Sequence, residues 1–130
     1  MKQLSKNFKR KEFECGCNCG FDTVDYELLC LLEEIREEFN FLYRKVFIEI
    51  TSACRCEKHN KKIGGSQNSQ HLRGRASDFK VWRYFNKNKI RQVPPKEVYD
   101  FINNKYPDKY GLGKYETFTH LDTRNKKARW

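Results

Sequence analysis

No stretch of this 130-residue chain approaches the roughly 20 apolar residues that a membrane span needs. Its start, MKQLSKNFKRKEF, also lacks the apolar segment of a secretory signal. A membrane span is therefore not expected. A protein made in the cytoplasm would reach an external target only after release by another route. There is no internal repeat and no low-complexity linker, so residues 1–130 are expected to form one domain with a basic arm at 1–13. Acidic residues are the scarcer sign, 17 against 27 Lys and Arg, giving a net charge of +10. That excess suits a polyanion such as an anionic cell-wall polymer, or is simply a solvated face in runs like NKNKIRQ and RNKKARW. Nucleic acid would fit the charge as well. The sequence, however, offers no helix-turn-helix, zinc-finger or base-stacking motif, which argues against it.

Cysteine is present in quantity, at positions 15, 17, 19, 30, 54 and 56. The Cys-x-Cys pairs are too tight to bridge comfortably within themselves, so disulfides would have to run between clusters. Thiols packed as small apolar groups are the plainer expectation. A second zinc site drawing on CGCNC with Cys54, Cys56 and His59 is also conceivable, although structural sites usually space cysteines more widely than Cys15-x-Cys17-x-Cys19.

Apolar residues recur at Leu28, Leu31, Leu32, Ile35 and Phe39. This is helical spacing, with Asp22 or Thr23 offering an N-cap and glutamates on the outer face. KVFIEITS predicts a strand over Val46–Ser52, and ASDFKVW a second one with Ala76, Asp78, Lys80 and Trp82 on one face. The polar stretch between them reads as a long loop with a short helical turn, the kind of segment that often carries function. Pro94 and Pro95 open a helix with the stripe Val98, Phe101 and Ile102, ending near Pro107. After a turn at YGLGKY, a last strand through ETFTHLDT would put Glu116, Phe118, His120 and Asp122 on one face. These elements make an α+β fold, a small antiparallel sheet with helices packed on one side.

The sheet brings His120 and Asp78 onto strand faces, and the loop feeding one strand supplies His71. Two imidazoles and one carboxylate are the ligand set of a catalytic zinc site with a fourth position left open. A bound zinc polarises a carbonyl and makes water nucleophilic near neutral pH, which suits amide hydrolysis. Alone, a His and an Asp seven positions apart also arise by chance, and His71 would serve equally to cap a turn.

Ser69-x-His71-x-x-Gly74-x-Ala76-x-Asp78 resembles the signature S-x-H-x-x-G-x-A-x-D of the zinc D-alanyl-D-alanine carboxypeptidases, which share their fold with the hedgehog signalling domain. ITSACRCEKHNKKIGGSQNSQH and GLGKYETFTHLDTR are similar to the family's segments around the first and second histidine ligands. The likeness runs from about Phe8 to Trp130 and is greatest to the short branch often carried by phages and viruses. It implies one Zn²⁺ per chain on His71, Asp78 and His120, and the peptide stem of peptidoglycan as substrate, cut by carboxypeptidase or endopeptidase (endolysin-type) action. It also puts Arg55 and Ser69 on the substrate side, with the planar fork of Arg55 suited to a carboxylate. Gly74 and Ala76 would let the backbone turn tightly enough for the two ligands to converge.

One departure matters. Many relatives carry a glutamate general base three residues before the second histidine, where this chain has Thr117. Two acids are candidates to replace it. Asp122 lies roughly 7 Å along the strand from His120, near enough to act on water or to orient a ligand, and Glu116 roughly 13 Å away. The missing glutamate also keeps open an alternative, a non-catalytic zinc module that binds cell-wall material or a protein.

Overall fold

In the computed structural model, which describes residues 3–130, the periodic segment forms helix α1 (Tyr26–Tyr43). Met1 and Lys2 of the expected basic arm lie outside the described residues. The expected stripe Leu28, Leu31, Leu32, Ile35 and Phe39 is buried, joined by Leu29. Each fully buried side chain contributes on the order of 2 kcal/mol. The N-cap is Asp25 rather than Asp22 or Thr23, and its carboxylate accepts the Leu28 N–H at 3.2 Å. The shift has a tertiary cause. The Asp25 N–H donates to Gly74 O at 2.8 Å, which holds residue 25 extended at the helix entrance. Upstream, Phe8 and Phe13 are buried against each other with ring centroids 5.9 Å apart. The glutamates of α1 do more than face solvent. Glu33 accepts from Ser5 and Asn7, Glu34 from Tyr106, and Glu27 from Tyr110.

Among the described residues six strands form one sheet: β1 (Val46–Ser52), β2 (Ala76–Asn86), β3 (Lys89–Gln92), β4 (Gly111–Lys114), β5 (Thr119–Asp122) and β6 (Ala128–Arg129). The order is β1-β2-β5-β4-β6, with β3 also on β2. All pairs are antiparallel except β4 with β6, so the sheet is mixed. Helix α2 (Glu57–Lys62) occupies the long polar loop, and α3 (Pro95–Lys105) buries Val98 and Ile102. Phe101 of α3 packs edge-on against Phe39 of α1 at 5.6 Å. Among the described residues no helix is long and apolar enough to cross a membrane.

The last third of the chain differs from the expectation in one respect that bears on the site. YGLGKY supplies strand β4, not a turn, and β5 begins only at Thr119. Residues 115–118 make the reversal, closed by Tyr115 N–H to Phe118 O at 3.2 Å and by stacked Tyr115 and Phe118 rings 4.3 Å apart. Glu116 therefore sits exposed in a hairpin turn and not on the His120 face.

Candidate metal centre

Register places the chemistry. In the β2–β5 ladder Asp78 stands directly opposite His120, and Ala76 opposite Asp122. Cross-strand partners on one face meet side by side, and the Asp78 Oδ1 is 2.9 Å from His120 Nδ1. His71 arrives from a 3-10 turn (Gln70–Arg73) just before β2, where Ser69 caps the turn by accepting the His71 N–H. Gly74 ends that turn at φ 66°, and a Cβ there would lie 2.5 Å from the Thr23 carbonyl oxygen. Only glycine satisfies both the left-handed backbone and the close approach. Glycine and turn together deliver His71 Nε2 to within 3.4 Å of Asp78 Oδ2.

His71, Asp78 and His120 are all buried, and one donor atom from each falls within 4.8 Å of the other two. The ring of His71 is fixed by Nδ1, which donates to Ala53 O at 2.5 Å and leaves the Nε2 lone pair facing the cluster. His120 is gripped from both ends. Its Nδ1 meets Asp78, and its Nε2 donates to Asp122 Oδ2 at 2.7 Å. Two imidazole nitrogens, one ring backed by the Ala53 carbonyl and the other by the Asp122 carboxylate, together with an oxygen of Asp78, fit the donor set and outer support of a zinc ion.

Asp122 is fully buried and wholly engaged. Besides His120, it accepts a two-pronged bond from Arg124, Nε to Oδ1 at 2.8 Å and the terminal nitrogen to Oδ2 at 2.7 Å. Gly111 faces it across the β4–β5 ladder, and a Cβ at that position would stand 2.3 Å from the carboxylate. Burial pushes the Asp122 carboxyl up, but the bonds from Arg124 and His120 outweigh it and hold it well below the ordinary range. Asp78 behaves alike. Burial raises it, while hydrogen bonds from His120 and His71 prevail and leave it at about 2. For His120, burial favours the neutral ring, yet Asp122 and Asp78 together raise its pKa above 6.5.

The centre opens onto a cleft of about 490 Å³ whose walls include Arg55, Ser69, Gln70, Tyr115, Arg124 and Trp130. Arg55 donates to Ser52 Oγ and Asn60 Oδ1, and its remaining terminal nitrogen lies 3.5 Å from Asp78 Oδ2. Gln70 Oε1 is buried in this wall without a partner. Asp78 is the one carboxylate among the described residues lining the cleft. Arg124, Trp130 and Tyr115 were not expected here. Trp130 packs on His120 with ring centroids 4.9 Å apart and donates from its indole N–H to the Tyr115 hydroxyl at 2.8 Å. The alternation His120, Asp122, Arg124 was a readable signal for the arginine, but no local pattern points to Trp130.

A family model described as Peptidase M15 matches residues 6–122. No curated protein and no solved structure matches the chain.

Proposed function

Because the chain belongs to the peptidase M15 family, we propose that it is a zinc-dependent peptidase cleaving an amide bond in the peptide stem of peptidoglycan. The observation that carries this reading is the convergence of His71, Asp78 and His120 on one point at the floor of an open cleft. Bound there, zinc would supply Lewis acidity for the scissile carbonyl and for water. His71, with Nδ1 committed to Ala53 O, and His120, with Nε2 committed to Asp122, would each present a defined nitrogen to the ion. Arg55, already held as a fork by Ser52 and Asn60, would engage a carboxylate of the stem peptide. Ser69 serves chiefly as the cap that sets the His71 turn, and it also lines the cleft wall. Asp122 acts through His120, as the group that orients a ligand, since both of its oxygens are taken up by His120 and Arg124 and it does not itself line the cleft.

A second reading rests on a specific observation. With Asp122 buried and Glu116 out in the hairpin turn, no carboxylate other than Asp78 lines the cleft among the described residues. A general base of the expected kind is missing from the wall, which favours a zinc module that binds stem peptides without cutting them. Digestion of purified peptidoglycan followed by mass spectrometry of the muropeptides separates the two. New termini that disappear with chelator support the peptidase and identify the bond. Zinc-dependent retention of stem peptide without any new terminus supports the binding module.

A further inference from the structure

A second cluster of donors includes the residue that follows Arg55 in the chain. Cys15, Cys17, Cys19 and Cys56 bring their four sulfur atoms within 4.8 Å of one another. The closest separations are 3.5 Å for Cys15 with Cys17, 3.6 Å for Cys17 with Cys56 and 3.9 Å for Cys15 with Cys56. A tetrahedron with zinc–sulfur arms of ~2.3 Å has edges of ~3.8 Å. A disulfide requires ~2.05 Å, and all six cysteines are free.

Apolar packing does not account for the arrangement, because Cys17 and Cys19 are exposed. The backbone is shaped around the sulfurs. Asn18 and Gly20 take positive φ values of 62° and 88°, curling the loop, and Cys15 N–H closes it onto Phe21 O at 2.7 Å. The Cys56 N–H points at Cys15 Sγ at 3.5 Å and the His59 N–H at Cys56 Sγ at 3.4 Å, the kind of outer support metal-bound thiolates receive. Cys54 has a different task. It is buried and its thiol donates to Phe13 O and Phe21 O, each at 3.0 Å, bracketing the same loop from beneath. His59 reaches the loop at Gly16 but is not among the clustered donors.

We propose that Cys15, Cys17, Cys19 and Cys56 form a structural zinc site, a closed tetrathiolate centre distinct from the histidine centre. Four soft donors with no position left open suit a structural ion and not a catalytic one. The tie is positioned to matter, since it joins residues 15–19 to the residue after Arg55, and the Arg55 N–H donates to His71 O at 2.9 Å. The ion would thus anchor the segment that carries one wall of the cleft.

The test uses the full chain purified with zinc, followed by exchange into cobalt. The wild-type protein is expected to carry about two metal ions per chain. His71→Ala should retain about one, and its cobalt form should show thiolate-to-cobalt charge-transfer absorption with the visible bands of a tetrahedral site. Cys56→Ser should lose that absorption. Where Cys56→Ser does not fold, the cobalt spectrum of folded His71→Ala decides alone. Absence of charge-transfer bands in His71→Ala, or disulfides found when thiols are titrated in denaturant with chelator, would overturn the proposal. A filled thiolate site beside an empty histidine site would count only against the peptidase reading.

Discussion

His120 donates its Nε2 proton to Asp122 at 2.7 Å while its other ring nitrogen, Nδ1, faces Asp78 at 2.9 Å. The ring is thus committed to one orientation with one nitrogen left for a metal, and in the reading proposed above Asp122 would act on the centre through it. Replacing Asp122 with Asn should weaken zinc binding by about 10- to 100-fold, because the carboxylate behind a ligating histidine raises its basicity. Competition with a chelating dye measures this directly. Were Asp122 instead the base acting on water, zinc affinity would hold and only turnover would fall. Asp122→Ala should also cost about 2–3 kcal/mol in urea denaturation, since it strands Arg124 and His120, with the loss tempered by partial exposure of Arg124.

The acid and base limbs of stability follow from the same trio once chelator has removed metal. Asp78 has a folded pKa of about 2 against an ordinary 3.8, and that of Asp122 is also depressed. Their contributions are complete above pH 3.8 and fade as pH falls through the folded values. His120 is shifted the other way, above 6.5. Its contribution is complete below pH 6.5 and is lost as pH rises through its folded value. Melting temperature of the chelated protein should therefore peak in the acid-to-neutral window between these limits and decline on the alkaline side. Added zinc should reverse that alkaline decline, since it takes the imidazole in its neutral form. Scanning calorimetry across pH, with and without zinc, checks both limbs.

Legibility followed the range of the forces involved. Strand β1 and the stripe of α1 could be read because period and composition are local properties, and His71 and Asp78 because their motif spans one turn and one strand, with His120 carried by a second recognisable segment on β5. Local sequence points to Asp22 or Thr23 as the cap of α1, whereas a contact from Gly74 selects Asp25, and no window around residue 25 contains it. Strand alternation alone puts Glu116 on the His120 face, but the segment reverses at Tyr115–Phe118 and carries Glu116 off it. The packing of Trp130 on His120 depends on the β4–β5 and β4–β6 pairings, which sequence spacing does not reveal, whereas the grip of Arg124 on Asp122 is local, two residues along the chain.

Gly74 offers a stability test free of catalysis. Alanine there must adopt φ 66° and bring its Cβ to 2.5 Å from the Thr23 carbonyl oxygen, a backbone atom that cannot swing aside. A loss of about 2 kcal/mol or more is expected from the left-handed strain and the clash together. Because the neighbouring Asp25–Gly74 hydrogen bond starts α1, hydrogen exchange should rise first at the helix entrance and at the His71 turn. An unchanged stability would mean that the turn relaxes without disturbing either.

Arg55→Lys separates a substrate clamp from a mere support of Asp78. The guanidinium makes three directed contacts at once, to Ser52, Asn60 and Asp78. A lysine head group has charge but no planar fork, so it can match at most part of this set. If the fork binds a stem-peptide carboxylate equally in ground and transition states, KM should rise about tenfold with kcat nearly unchanged, a loss of about 1.4 kcal/mol. If Arg55 only steadies Asp78, the same variant should instead release zinc more readily and leave KM alone. Steady-state kinetics on stem peptides beside a chelator titration tells these apart. A peptide lacking its terminal carboxylate sharpens the result: the clamp predicts that wild type and Arg55→Lys then bind it with the same affinity.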